Sequence, residues 1–411
     1  MAEMRDSGVV FVGNIPEEWD LYSVKHLFKI GRGRVISELE LDDNGKYPVY
    51  SSQTKNEGCM GYINTYDFDI DQLTWTTDGV YAGTVFIRHG KHNCTNVCGT
   101  LQPNEKNDND LQYLKYALEC IATYHRRKDI NGGKVMNNEM ARIKIPIPPK
   151  DRQINIAEFL DKKCAEIDAL HTDIEKQIET LEEYKKSIIT EAVTKGLDPD
   201  VEMKDSGIEW VGMIPKHWDV HPVYSYFGER KNRNKLGKET NLLSLSYGNI
   251  IRKDINTNGG LLPENFNNYN IVEANDIIIR PTDLQNDKHS LRTGLVTEHG
   301  IITSAYIDLY PQKNINSQFF HYLLHAYDLM KVFYNMGNGV RQGLNYSEFS
   351  RLMVYFPLPN EQKEIVEYLN TRCAEIDDVI VDKKKQLETL EQYKKSLVYE
   401  YVTGKKEVLN D

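Results

Sequence analysis

The five residues CAEID occupy positions 164–168 and return letter for letter at positions 373–377. The flanks extend the match. IAEFLDKKCAEID faces IVEYLNTRCAEID, and ETLEEYKKS (179–187) faces ETLEQYKKS (388–396), all at one offset of 209 positions without a gap. Agreement over that length excludes chance and makes the chain an internal repeat, a constraint that precedes any residue-level reading. A second piece of the frame recurs at an offset of 199: EMRDSGVVFVGNIPEEWD (3–20) is echoed by EMKDSGIEWVGMIPKHWD (202–219). The order is short segment, variable block, helical segment, and then the same again. The two variable blocks share little obvious sequence, and the second is longer.

The helical segments are the clearest. Leu160, Ile167, Leu170, Ile174, Leu181, Tyr184 and Ile188 recur at largely three-four spacing, as do Leu369, Ile376, Val379, Leu387, Leu390, Tyr393 and Leu397. That is a heptad stripe with charge on the other faces. Each segment follows a proline-rich strand ending, IPIPPKDRQ or FPLPNEQ, and predicts a helix of ~40 residues and ~60 Å. One apolar stripe on so long a helix needs a partner. The simplest partner is the other copy, and a coiled coil with a second molecule is the alternative. Lys383, aligned with Ile174, weakens the heptad and predicts a short, imperfect coil. Leu160, Ile167, Leu181 and Tyr184 are expected to pair with Leu369, Ile376, Leu390 and Tyr393. Cys164 and Cys373 share one repeat position and read as packing residues.

The variable blocks read as mixed α/β. Residues 77–88, 275–281 and 300–310 are rich in β-branched and aromatic residues and bounded by Gly, Asp and Pro, as strands are. Residues 112–127 and 317–334 read as amphipathic helices, with Arg126, Arg127 and Lys128 closing the first, since cations suit helix C-termini. Four stretches are therefore expected: 1–150 (opening segment plus first block), 151–200 (first long helix and linker), 201–359 (repeated segment plus second block) and 360–411 (second long helix and tail). A length of 411 residues agrees with two or three domains.

The net charge of −11 argues at first against a nucleic-acid partner, but its distribution matters more. Residues 20–150 carry +1 and residues 216–359 carry +2, whereas 151–200 carry −6 and 360–411 carry −3. The acidity sits in the repeated frame, not in the blocks. No apolar run reaches the ~18–20 residues that span a bilayer, and the opening residues do not read as a signal peptide. A cytoplasmic chain with no membrane contact and six reduced thiols is expected.

Catalytic signatures are missing. No Gly-Lys pair sits in a Walker A string, no G-x-G-x-x-G occurs, and no Asn/Asp-Pro-Pro-Tyr/Phe methyltransferase string is present. Asp200, Glu202 and Lys204 fall in a linker and read as solvated charge, not as a metal-nuclease centre. His89, His92, Cys94 and Cys98 are zinc-type residues at spacings irregular for a structural site; they read as a strand and loop with small buried thiols, and no metal site is expected.

The segment DSGIEWVGMIPKHWD, the proline-rich strand followed by an R-Q or E-Q helix start, and the twice-written CAEID…ETLE-x-YKKS resemble the specificity subunit of type I restriction–modification systems, over the whole chain and in family order. The resemblance implies a non-catalytic, mixed α/β protein. Two target-recognition domains are separated by two long helices pairing as an antiparallel coiled coil, with pseudo-twofold symmetry. It implies double-stranded DNA, two methyltransferase subunits and two restriction subunits as partners. S-adenosylmethionine, ATP and magnesium would be used by those partners and none bound by this chain. Two readers on a paired-helix ruler would fix the spacing of a bipartite site.

Base reading calls for Arg or Lys on guanine and Asn or Gln on adenine, and phosphate contact for Lys, Arg and backbone amides. In the first block the candidates are Ser51, Ser52, Gln53, Lys55, Thr76, Thr77, Asp78, Arg88 and Lys91. In the second they are Arg230, Lys231, Arg233, Lys235 and the neighbouring Lys238, then Arg280, Thr282, Asp283, Gln285, Asn286 and Lys288, with Arg341 and Gln342 on a glycine-flanked loop. The competing reading is a coiled-coil interaction scaffold with two ligand-binding domains and no nucleic acid. Overall acidity favours it; two unlike domains with basic loops in one repeated frame favour DNA.

Overall fold

The computed structural model describes residues 3–129, 132–255, 265–282, 284, 291–336 and 343–408. It forms two compact units, Met1–Glu175 with Lys384–Asp411, and Lys176–Lys383. The sequence frame had each long helix as a stretch of its own; the compact units instead each take half of both.

In the first unit a four-stranded antiparallel sheet is built from β1 (Phe28–Arg32), β2 (Gln72–Thr76), β3 (Val85–Arg88) and β4 (Cys98–Pro103), in the order β3-β2-β4-β1. Helix α1 (Leu111–Ala122) starts where the Asp110 carboxylate accepts the Tyr113 amide at 2.8 Å, and buries Tyr113, Leu114, Ala117, Leu118 and Ile121. Such a cap stabilises a helix by about 1 kcal/mol. Helix α2 (Lys150–Lys195) follows the strand Lys144–Ile147. The second unit repeats the plan. Strands β5 (Phe227–Glu229), β6 (Ile277–Ile279), β7 (Thr293–Leu295) and β8 (Ile307–Pro311) lie in the order β7-β6-β8-β5, helix α3 (Ser317–Leu329) is capped by Asn316, and helix α4 (Pro359–Val402) closes it. The two sheets therefore have the same topology under sequences with little obvious likeness.

The helix-start glutamines explain their place in the motif. Gln153 and Gln362 are buried, and their amide oxygens accept the backbone amides of Asp110 at 2.9 Å and Asn316 at 3.2 Å, the caps of α1 and α3. Their amide groups donate to the Pro148 and Pro357 carbonyls. One residue thus ties the start of a long helix to the start of the domain helix.

CAEID also finds its use here. In the first unit Asp168 of α2 pairs with Lys394 of α4 at 2.6 Å; in the second, Asp377 of α4 pairs with Lys185 of α2 at 2.6 Å. Each CAEID meets the YKKS of the other copy. Phe159 packs against Tyr401 with tilted rings in the first unit, and Gly196 approaches Glu361 in the second, so the helix halves run antiparallel within each unit. Leu160 and Ile167 are buried with Leu397 and Val402, and Leu390 packs against them. Leu369 and Ile376 are buried with Ile188 and Val193, and Leu181 packs against them. Tyr184 and Tyr393 are about half exposed, at 49% and 54%. Tyr184 hydrogen-bonds Arg372: its polar hydroxyl sits at the rim of the stripe, where an apolar residue would have gone inside.

Four expected elements end differently. The strand over 77–88 is broken into Asp78–Gly79 and Val85–Arg88, because Gly79 and Gly83 take left-handed φ of +93° and +91° and the Thr76 hydroxyl holds the Tyr81 carbonyl in a turn. The strand over 300–310 is likewise two, Gly300–Ile302 and β8. The helix over 112–127 stops at Ala122, and Arg126 does not close it. Its guanidinium turns back to the carbonyls of Ala82 and Val80, at 2.9 and 2.8 Å, while Arg127 enters the strand Arg127–Asp129. The helix over 317–334 stops at Leu329, before Lys331 at φ +61°. Among the described residues no helix is long and apolar enough to cross a membrane.

Candidate nucleic-acid interface

In the first unit the structure gathers most of the candidates at one place. The strands Tyr47–Tyr50 and Cys59–Ile63 form a hairpin whose loop carries Ser51, Ser52, Gln53 and Lys55. The Ser52 hydroxyl donates to the Val97 carbonyl and accepts the Thr77 amide at 3.1 Å; the Thr77 hydroxyl donates to Asp78 Oδ2 at 2.6 Å. Ser51 receives a hydrogen bond from Thr95 at 3.2 Å, and the Gln53 amide donates to the Cys59 carbonyl at 2.6 Å. Thr76 and Thr77 are buried. They brace the loop; Lys55 stands exposed on it.

Arg88 is the floor of this cluster. It is 2% exposed, donates from Nε to Thr74 Oγ1 at 3.0 Å, and lies 3.6 Å over the Tyr50 ring and 4.5 Å over Phe86. Its Nη2 is buried without a hydrogen-bond partner, and burial pushes the guanidinium below its ordinary pKa. Gly58 passes so near that a Cβ there would sit 3.1 Å from Nη2. A cation held by ring faces in this way sets the loop's shape. Lys91 stands apart, 4.6 Å over the Tyr66 ring and 3.9 Å from Asp69; its hydrogen bond to Tyr66 raises its pKa.

In the second unit Arg230 is engaged inside. Its Nε and Nη2 bind both oxygens of Asp276, at 2.7 and 2.9 Å, and Asp308 lies 4.0 Å away. The Asp276 bond raises the Arg230 pKa. Burial pushes Asp276 up, and burial beside Asp276 pushes Asp308 up to about 8. Lys231 pairs with Glu229 at 2.8 Å but is 70% exposed, Arg233 donates to the Asn268 carbonyl, and Lys235 and Lys238 are exposed. The Arg280 amide donates to the Arg292 carbonyl at 2.8 Å, and the Thr282 carbonyl accepts Arg292 Nη1 at 2.6 Å. Asp283, Gln285, Asn286, Lys288, Arg341 and Gln342 lie outside the described residues.

Two exposed aromatics escaped the sequence reading. Tyr81 (60% exposed) tips the turn beside Thr76, and Tyr247 (84% exposed, φ +46°) tips the two-residue turn joining Leu243–Ser246 to Asn249–Arg252. The Tyr-Gly pair at 247–248 was the available signal. His92 uses both ring nitrogens, on Gln72 and on the Gly90 carbonyl, each at 2.8 Å, and so has no nitrogen left for a metal.

Known proteins show the same pattern. The family model described as the type I restriction modification DNA specificity domain matches twice, at residues 16–180 and 227–389. A Mycoplasma pneumoniae protein named as type I specificity subunit S.MpnORF285P is 32% identical over 198 residues, 46% of this chain; the chain thus spans 63% of that relative's length. A Methanocaldococcus jannaschii protein named as the MjaX type I restriction enzyme specificity subunit is 27% identical over 431 positions, covering 96% of this chain and 95% of that one. A solved structure from work on the assembly and conformational transition of the type I restriction–modification system superposes with a TM-score of 0.71 at 10% identity, over 95% of this chain and 99% of that one, which speaks to the fold alone.

Proposed function

The chain belongs to the type I restriction–modification DNA specificity family, and from that premise we propose that it is the subunit that reads a bipartite double-stranded DNA target, one half-site per recognition block, and does no chemistry itself. The observation that carries this reading is one sheet topology, built twice in one repeated frame, with different loops on it. An eight-residue polar loop with one lysine follows residue 50 in the first unit, where the second has the two-residue Tyr247–Gly248 turn. A common scaffold with dissimilar tips suits two half-sites of dissimilar sequence, because sequence is read by the side chains at the tips.

The exposed Lys55, Lys91, Lys231, Arg233, Lys235 and Lys238 contact phosphates, and Ser51, Gln53 and Asp78 are within the same loop cluster as base readers. Arg88, Thr76, Thr77 and Arg230 hold the reading surfaces in shape from behind. Arg280, Thr282, Asp283, Gln285, Asn286 and Lys288, with Arg341 and Gln342, complete the second reader. Two methyltransferase and two restriction subunits supply the reactions in the cytoplasm with S-adenosylmethionine, ATP and magnesium, none of them held by this chain.

The test is genome-wide adenine methylation in cells carrying the chain and its methyltransferase partner, against cells lacking this chain alone. Loss of one bipartite motif is the expected result. Unchanged methylation with an active partner would overturn the reading in favour of the interaction scaffold. For the contacts, Lys55→Ala and Lys235→Ala should each reduce the slope of log affinity against log salt by about 1, as the loss of one phosphate contact does.

A further inference from the structure

The domain helices dock on the long helices through equivalent contacts. Gln112 and Tyr116 of α1 both reach Asp161 of α2, at 2.5 and 2.7 Å; Gln318 and Tyr322 of α3 both reach Asn370 of α4, at 2.8 and 2.9 Å. Beside each junction lies a cavity, of about 430 Å³ in the first unit and about 470 Å³ in the second. Their walls match in part: Cys164, Asp168 and Lys394 line one, Cys373, Asp377 and Lys185 the other.

Among the differences between the walls are two positions one turn apart on the domain helix. Counted from the caps, Lys115 corresponds to His321 and Glu119 to His325. In the first unit Lys115 and Glu119 satisfy one another as an ion pair at 3.8 Å. In the second, no such closure exists. His321 Nε2 and His325 Nδ1 are buried and, among the described residues, have no hydrogen-bond partner, while the rings stand 6.2 Å apart at 37°. An unmet buried nitrogen is costly, so the pair needs something that the described residues do not supply.

The chemistry of the two rings limits what that is. His321 also hydrogen-bonds the Thr293 carbonyl, which only accepts; the ring nitrogen facing it carries the proton, and Nε2 is left with its lone pair. Burial pushes both imidazoles down to about 4, so both are neutral at pH 7 and present lone pairs in place of charge. Neutral imidazoles at i and i+4 of a helix suit a borderline divalent ion such as zinc; magnesium and calcium prefer oxygen. Cys373 and Asp377, also one turn apart, are the other metal-type donors on the cavity wall, although Asp377 is held by Lys185. Among the described residues no three such side chains converge already.

We propose that His321 and His325 chelate one divalent transition ion of the zinc class, with water completing its shell in the cavity of the second unit. The first unit has no equivalent, because Lys115 and Glu119 occupy those positions.

The test uses the full chain and zinc chloride, titrated in competition with a chromophoric chelator. One zinc per chain is expected. His321→Gln and His325→Gln should each weaken binding at least tenfold, and Lys115→Gln should leave it unchanged. A second measurement needs no variant: zinc should protect His321 and His325 of the wild-type chain from diethyl pyrocarbonate, mapped by mass spectrometry. Absence of a stoichiometric ion, binding unchanged in both histidine variants, or no protection of these two residues would overturn the proposal.

Discussion

The two units share a sheet order but differ in the charge at its centre. Strand pairing places Gln72 and Thr100 in the first unit where the second has Asp276 and Asp308, and Gly31 where it has Arg230. All four of the first-named polar positions on the paired strands are buried. One sheet therefore tolerates a neutral pair and a cation with two carboxylates at equivalent sites. The difference teaches that the repeat fixes backbone pairing and helix docking, while each block chooses its own buried polar groups. It also explains why Arg230, in the most basic stretch of the second block, is spent internally.

The largest expected effect tests the equivalence itself. Leu160→Ala and Leu369→Ala remove fully buried side chains at one repeat position, and each should cost about 2–5 kcal/mol. Hydrogen exchange should show each loss confined to its own unit; unequal losses would mean the halves of the frame are packed differently.

The carboxylate pair should give the second unit a pH dependence that Gln72 and Thr100 cannot give the first. Asp308 at about 8 keeps its proton in the fold across pH 4–8, where the unfolded chain has lost it. Stability is full at low pH and falls as pH rises through that window. Asp308→Asn should remove the fall and stabilise the second unit at pH 8 by about 1–3 kcal/mol, read by denaturation at pH 5 and pH 8.

The histidines give the opposite slope. At about 4, His321 and His325 stay neutral in the fold while the unfolded chain takes up protons below ~6.5. Stability from this source is present above ~6.5 and lost as pH falls towards 4. His325→Gln should flatten that acid limb, seen as slower exchange of α3 amides at pH 5 relative to wild type.

The smallest effect is expected at the paired CAEID aspartates. Asp168 and Asp377 are more than half exposed, so Asp168→Asn and Asp377→Asn should each cost no more than about 1 kcal/mol. Thermal shifts should be small and alike. A large shift at one site would show that its ion pair does more in that unit than in the other.

Much was legible in the sequence by itself. The repeat is read from identity at fixed offsets along the chain; the two long helices, the domain helices and the proline-bounded helix starts rest on signals within a few residues: 3.6-residue periodicity, caps, and turn residues that dictate local backbone angles. Tertiary structure decided the rest. It divided each long helix between two units, and it put the same antiparallel sheet under two unlike blocks. It turned Arg88, Arg126 and Arg230 inward, and it brought His321 and His325 to a cavity whose counterpart is closed by an ion pair. Those outcomes join residues dozens of positions apart. Which strand pairs with which, and which charge is met by which partner, depend on what burial brings together, and no local pattern encodes that.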